Sequence, residues 1–143
     1  MIFALDSDTF SHLVYGHAKV VARYTAVLKG GTDEVTVPAV VRAEVLRGRF
    51  DALTKAASGQ NFLNLYALLV TTEQALARNR ILAVTHQAGA TFDTLLKAKK
   101  LGKRNRSDLL IAAVALAHHA TLVTANTQHY ANIPGLKVED WTA

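Results

Sequence analysis

Short apolar segments alternate along this chain with longer segments that carry helical signals, and this alternation limits the fold more than any other feature. The apolar segments are too short for helices and suit buried strands. We predict strands at residues 2–5, 34–37, 81–84 and 121–124, with a weaker one at 136–138. Helices are predicted at residues 9–28, 39–47, 51–57, 61–79, 85–100 and 108–118. Such alternation with short connections indicates an α/β domain with a mainly parallel sheet and helices on both faces.

Four residues mark where the predicted helices begin and end. Asp8 is expected to cap the first helix, and Ser107 the helix that starts at residue 108, because both side chains accept hydrogen bonds from free backbone amides. Pro38 suits the opening of a helix, and Gly48 is expected to end that helix. In a sheet of this kind, ligands bind beyond the carboxyl ends of the strands.

The composition fits one domain, residues 1–143, with enough apolar residues for a core. There is no cysteine, which excludes disulfides and cysteine-based zinc sites and is compatible with a reducing cytoplasm. The apolar start stops at Asp6 without a basic leader, and the apolar run at 109–117 is too short to cross a bilayer. We therefore expect a cytoplasmic protein with no signal peptide and no membrane contact.

The chain is basic, with a formal net charge of +5 and a pI near 9.7, which favours a polyanionic partner such as nucleic acid. Its steepest charge run lies between Lys97 and Arg106. One interpretation is a solvated helix end; we favour a clamp for backbone phosphates, since no aromatic residue interleaves for base stacking. The nucleic-acid-binding residues predicted from this run are Lys99, Lys100, Lys103 and Arg104.

Three acids are candidate functional residues, although each also has an ordinary explanation. Asp6 directly follows a buried strand, so its carboxylate needs a cation, a metal or the amides of the next helix. Glu44 lies beside the apolar stripe of its helix and could simply pair with Arg42 or Arg47. Asp108 opens a helix, where acids are common, and topology alone does not bring it to the other two.

Taken together, the acids favour a bound divalent cation. Carboxylates gathered in a cleft repel one another unless a cation lies between them. Mg²⁺ prefers carboxylate oxygens and shares its remaining positions with water and substrate phosphate. A bound metal can lower the pKa of a water and offset charge on a leaving oxygen. The six histidines show no usual zinc-ligand spacing, so none is assigned a role.

Five blocks, in register over essentially the whole chain, resemble PIN-domain ribonucleases, and among them the VapC-type toxins of bacterial toxin–antitoxin pairs. Each block alone is a weak signal, but their order, spacing and neighbours all match. The blocks are residues 5–11 (LDSDTFS), 42–49 (RAEVLRGR), 107–117 (SDLLIAAVALA), 120–126 (ATLVTAN) and 133–141 (IPGLKVEDW).

The resemblance implies a three-layer α/β/α sandwich around a sheet of strand order 3-2-1-4-5. It implies a Mg²⁺- or Mn²⁺-dependent endoribonuclease with catalytic residues Asp6, Glu44 and Asp108, of which Asp6 and Asp108 bind the metal. It further implies a cognate antitoxin and a homodimer. The family often has a fourth acid where this chain has Asn126. We take Asn126 and Asp8 as candidate accessory residues, and favour helix capping for Asp8.

Two other functions stay open. The Asp6-Ser7-Asp8-Thr9 stretch also resembles haloacid-dehalogenase-type phosphatases, with Asp6 as nucleophile and Asp8 as general acid, but the late acidic pair of that family is missing. The second open function is that of a catalytically inactive domain that binds RNA or a protein partner. The helices at 9–28 and 61–79 carry more apolar residues than one buried stripe needs. These residues could form a groove for an antitoxin, pack on each other or join two copies of the chain.

Overall fold

Five short strands form one parallel sheet in the computed structural model, which describes residues 1–98 and 105–143. The strands are β1 Ile2–Leu5, β2 Glu34–Pro38, β3 Arg80–Leu82, β4 Thr121–Val123 and β5 Val138–Glu139. The helices in these ranges are α1 Ser7–Val14, α2 Ala18–Gly30, α3 Ala39–Thr54, α4 Gly59–Arg78, α5 His86–Lys97, α6 Arg106–Ala117 and α7 Thr127–Tyr130. None of these helices is long and apolar enough to cross a membrane.

The strand order is β3-β2-β1-β4-β5, and every neighbouring pair is parallel, which confirms the predicted order. The central strand β1 is paired on both sides: Phe3 lies opposite Val35 on β2 and opposite Thr121 on β4. Phe3, Ala4 and Leu5 are all buried, although successive side chains of a strand point to opposite faces. Helices therefore cover both faces of the sheet, as a parallel sheet requires.

Two predicted helix boundaries were wrong, each at a glycine. The segment 9–28 contains two helices, because Gly16 adopts a φ of +80° between α1 and α2. That left-handed conformation, open to glycine, ends a helix in a way that hydrophobic periodicity does not register. Gly48, by contrast, does not end a helix, and α3 runs through it to Thr54, merging the predicted helices 39–47 and 51–57. A helix whose one face is well packed tolerates one exposed glycine at a cost of about 1 kcal/mol.

The two predicted caps were also displaced. Asp6, and not Asp8, caps α1 by accepting a hydrogen bond from the backbone N–H of Thr9 at 2.8 Å. Asn105, and not Ser107, caps α6, because its side chain accepts from the N–H of Ser107 at 2.9 Å. Each helix therefore begins two residues earlier than the pattern indicated, which places Asp8 and Ser107 in the first turns.

Smaller differences concern the strand ends and one short helix. The third strand starts and stops earlier than the predicted 81–84, and the last strand lies at Val138–Glu139 instead of 136–138. The four-residue helix α7 was not predicted. The predicted nucleic-acid-binding residues Lys99, Lys100, Lys103 and Arg104 lie outside the described residues.

Candidate active site

A cleft of about 390 Å³ opens beyond the carboxyl ends of β1 and β4, where a parallel sheet is expected to bind its ligand. Its walls come from the start of α1, the middle of α3, the start of α6 and the short helix α7. The cleft brings together the three acids and the two accessory residues singled out from the sequence. They are Asp6, Asp8, Glu44, Asp108 and Asn126.

Asp6 lies deepest among these acids and is only 5% exposed. Its backbone N–H continues the sheet by donating to the carbonyl of Val123 at 3.0 Å, which fixes the residue at the end of β1. Burial raises the pKa of the Asp6 carboxyl above its usual value, and hydrogen bonds from the Thr124 hydroxyl and the Thr9 amide oppose this rise. The two explanations offered for Asp6 therefore apply together: it caps a helix and also lines a ligand cleft.

Glu44 projects from α3 into the cleft and accepts a hydrogen bond from the Ser7 hydroxyl on α1. The ion pair considered for it is not found within residues 1–98 and 105–143, where Arg47 instead lies 3.9 Å from Asp51. Glu44 is otherwise exposed to solvent, so the Ser7 contact orients the carboxylate without burying it.

Asp108 is held by two side chains of α7. The Tyr130 hydroxyl donates to one carboxylate oxygen at 3.1 Å, and His129 Nδ1 lies 3.3 Å from the other. The Asp108 side chain is 20% exposed, whereas Tyr130 is buried. No role was predicted from the sequence for either His129 or Tyr130. The signal that was available is their position just beyond β4, at the edge where ligands bind.

The pKa of the Tyr130 hydroxyl is influenced by all three acids. Burial raises the pKa of Tyr130, and the negative charges of Asp108, Asp6 and Glu44 raise it further. A single phenol therefore lies within electrostatic range of all three carboxylates, whose topological relation the sequence left open.

Asn126 and Asp8 face each other across the cleft mouth. The Asn126 side-chain amide donates to the Asp8 carboxylate at 3.5 Å, a long contact, and its backbone N–H donates to the Thr124 hydroxyl at 3.0 Å. Thr124 thus connects Asn126 to the buried Asp6, whose carboxyl it also contacts. Among residues 1–98 and 105–143, Asp8 therefore has a neutral hydrogen-bond donor and no ion-pair partner.

The donors in the cleft suit a hard divalent cation better than zinc. Carboxylate, amide and hydroxyl oxygens predominate, and His129 is the one nitrogen ligand type among the described lining residues. Within residues 1–98 and 105–143, no three His, Asp or Glu side chains form a complete metal-ligand group. Mg²⁺ and similar ions are commonly held by one or two carboxylates, several waters and substrate phosphate, so the acids present fit such an ion. The buried Asp6 gains most from it, because a nearby cation favours the ionised carboxyl.

Several proteins of known sequence or structure are similar to this chain over nearly its full length. A protein named Ribonuclease VapC1, from Haemophilus influenzae strain R2866, is 27% identical over 143 residues, which is 99% of each chain. The structure of VapBC-1 from nontypeable Haemophilus influenzae covers all of both chains at 26% identity with a TM-score of 0.80. VapBC2 from Rickettsia felis, solved bound to a DNA fragment from its promoter, covers 99% of both at 25% identity with a TM-score of 0.78.

The PIN domain family matches residues 4–135, a span that contains the end of β1 and all of α1, α3, α6 and α7, and therefore every wall of the cleft. The sheet order agrees with this match. The chain belongs to the PIN domain family.

Proposed function

We propose that residues 1–143 form one metal-dependent endoribonuclease domain that acts in the cytoplasm. The observation that carries this proposal is the cleft in which Asp6, Glu44 and Asp108 meet at the carboxyl edge of the sheet. The name of the Haemophilus relative supports RNA as the substrate. The net charge of +5 agrees with a polyanionic substrate.

In this proposal Asp6 and Asp108 hold Mg²⁺ or Mn²⁺. When bound, the ion lowers the pKa of a water and offsets negative charge on the phosphodiester. Glu44, oriented by Ser7, accepts a proton from the attacking water as its oxygen forms a bond to phosphorus. The bond from phosphorus to the leaving ribose oxygen then breaks, and that oxygen takes up a proton from solvent water. Asn126 and Asp8 serve as accessory residues at the cleft mouth, where they hydrogen-bond water or phosphate.

The deciding experiment compares three substrates with the purified protein: a single-stranded RNA, the same sequence as DNA, and a phosphate monoester. We expect RNA cleavage in Mg²⁺ or Mn²⁺, no cleavage in EDTA, and no release of phosphate from the monoester. Phosphate release from the monoester would favour the phosphatase alternative. Absence of all turnover, together with RNA binding, would favour an inactive binding domain.

Replacing Asn126 with Asp is expected to preserve cleavage and to lower the metal concentration that gives half-maximal activity. The new carboxylate would face Asp8, from which the present amide is 3.5 Å away, and like charges at that distance increase the affinity for a cation. The measurement is the initial rate of RNA cleavage as a function of Mg²⁺ concentration, with Gln128→Glu as a control that adds the same charge elsewhere on α7. An increased metal requirement in Asn126→Asp would contradict the accessory role of Asn126.

We further propose that the chain is the toxin of a toxin–antitoxin pair. A second cleft, of about 420 Å³, lies between the α1–α2 pair and α4. Apolar side chains such as Leu13, Val14 and Val21 line it. The same helices expose large apolar residues to solvent, namely Leu28, Phe62, Leu63 and Tyr66. Exposed apolar surface of this kind suits the apolar face of a partner helix. The similar VapBC structures support an antitoxin as that partner. We propose a homodimer of the toxin as well.

If this is correct, the product of the adjacent upstream reading frame will co-purify with the chain and suppress RNA cleavage. An arginine of the partner that reaches the acid cleft would be held by bidentate pairs with the carboxylates. Phe62→Ser with Tyr66→Ser is expected to release the partner while leaving cleavage intact. Light scattering of the free chain tests the homodimer. A neighbouring product that neither binds nor inhibits would refute the toxin assignment without affecting the ribonuclease assignment.

A further inference from the structure

Arg49 lines the acid cleft from α3, as do Glu44 and Gly48 on the same helix. A Cβ added at Gly48 would meet nothing within 4 Å, so the cleft is open at that position. Arg49 is half-buried, whereas Arg42 and Arg47 on the same helix are exposed.

The guanidinium of Arg49 is fixed by contacts to two other helices. Its Nε donates to the hydroxyl of Thr72 on α4 at 3.0 Å, and Nη2 donates to the hydroxyl of Ser11 on α1 at 3.4 Å. It also lies over the ring of Tyr15, 5.5 Å from the centroid. Thr72 is fully buried, so the strongest of these contacts is anchored in the interior. An arginine held in this way loses little conformational freedom when it binds a ligand.

These contacts leave most of the hydrogen-bonding capacity of Arg49 unused. A guanidinium carries five N–H donors, and the two hydroxyls take one each. Within residues 1–98 and 105–143, no carboxylate forms an ion pair with Arg49, although four carboxylates line the same cleft. The charge of Arg49 is therefore not neutralised by a partner in that part of the chain.

A nucleic acid that enters this cleft brings negative phosphates towards negative side chains. A bound metal ion offsets that repulsion at one phosphate, and the neighbouring phosphates need a separate positive group. Arg49 is the only arginine or lysine among the described residues that line the cleft. Its fork of donors matches the oxygens of a phosphate in bidentate geometry.

We propose that Arg49 binds a backbone phosphate of the RNA next to the phosphodiester that is cleaved. This inference rests on the proposed ribonuclease function and adds to it a fixed phosphate site built by α1, α3 and α4. The other explanation of Arg49 is purely structural: it links three helices. The two explanations predict different salt dependences of RNA affinity when Arg49 is replaced.

The test measures the affinity of a fluorescently labelled single-stranded RNA oligonucleotide in EDTA, where cleavage is absent, over a series of salt concentrations. Arg49→Gln is expected to weaken binding about tenfold, as the loss of a charge-assisted hydrogen bond does. The slope of log affinity against log salt is negative, and its magnitude should decrease by about 0.7, the contribution of one phosphate on a single strand. Arg47→Gln removes the same charge from an exposed position of α3 and should leave both quantities nearly unchanged. Arg49→Lys should keep the salt slope, since it keeps the charge.

A slope in Arg49→Gln equal to that of Arg47→Gln overturns the inference, whatever happens to the melting temperature. A lower slope in Arg49→Gln that Arg49→Lys restores supports it, even if both variants are less stable. The proposed ribonuclease function and the phosphate site at Arg49 can be refuted separately. If the unmodified protein neither binds nor cleaves RNA, the proposed function is wrong; if it cleaves RNA and Arg49→Gln retains the full salt slope, only the phosphate site is wrong.

Discussion

Asp6→Asn is expected to abolish RNA cleavage and, in the absence of metal, to raise the melting temperature at neutral pH. Asparagine caps a helix about as well as aspartate, so the hydrogen bond from the Thr9 amide survives the change. The buried charge is removed. We expect the rate of cleavage to fall by more than about a hundredfold. This is more than the loss of a residue that only orients a metal ligand usually causes.

The stability effect has a definite pH dependence. Burial raises the pKa of Asp6 in the folded protein, so the folded state binds more protons than the unfolded state as pH rises above the ordinary pKa of aspartate. The stabilisation is complete below the unfolded pKa and is lost as pH rises through the folded pKa. The wild type and Asp6→Asn should therefore melt at similar temperatures in acid, with the variant increasingly more stable towards neutral pH.

The measurement is thermal unfolding in EDTA between about pH 4 and pH 8, repeated at neutral pH with Mg²⁺, where ligand binding stabilises the folded state. Added metal should raise the melting temperature of the wild type more than that of Asp6→Asn. Asp93→Asn removes an exposed carboxylate from α5 and serves as the control, with no change expected in cleavage. Full cleavage activity in purified Asp6→Asn would disprove the assignment of this residue.

Asp108→Asn should abolish cleavage as well, and Tyr130→Phe should reduce it by about 10- to 100-fold, the usual range for a residue that orients a metal ligand. The Tyr130 hydroxyl donates to one oxygen of Asp108 at 3.1 Å, and the other oxygen lies 3.3 Å from His129 Nδ1, so the phenol helps to orient this carboxylate. Phenylalanine keeps the buried ring and removes only this hydrogen bond. The half-activating metal concentration should rise in Tyr130→Phe, since the carboxylate is less well oriented.

Tyr24→Phe is a matched control, because the Tyr24 hydroxyl donates to Asn79 at 3.0 Å, away from the cleft. Both variants lose one tyrosine hydrogen bond, worth about 1 kcal/mol of stability, but only Tyr130→Phe should change the metal requirement. Equal activity of Tyr130→Phe and Tyr24→Phe would show that the phenol does not act through Asp108.

The strand order could be predicted only through the resemblance to PIN-domain ribonucleases, because the alternation of strands and helices predicts a parallel sheet without fixing the order of its strands. Helix boundaries were harder, since a glycine has two opposite uses. Gly16 turns the chain at a positive φ, whereas Gly48 lies inside a continuous helix, and the local pattern is similar at both. Only the packing of the neighbouring helices distinguishes them.

The acids of the site were predictable, but their supporting contacts were not. Asp6 directly follows β1, Asp108 lies in the first turn of α6, and Glu44 lies inside α3 within a sequence block that resembles the PIN-domain ribonucleases. Tyr130 lies in a helix of four residues, too short for periodicity to show, and its contact with Asp108 crosses 22 residues of sequence. Arg49 contacts Thr72 and Ser11, which come from other helices, so its position in the fold depends on tertiary packing that a linear pattern does not contain.

The order in which the strands lie has a consequence for the protein during its synthesis. The central strand β1 is made first, yet one of its two neighbours, β4, begins only at Thr121. Contacts between residues so distant in sequence form late, after the cost in chain entropy of closing a long loop has been met. A nascent chain carries Asp6 and Glu44 well before Asp108 and Tyr130 have left the ribosome. Catalytic competence should therefore appear abruptly, once the segment from Asp108 to Tyr130 has left the ribosome, and products truncated before this segment should be harmless to RNA.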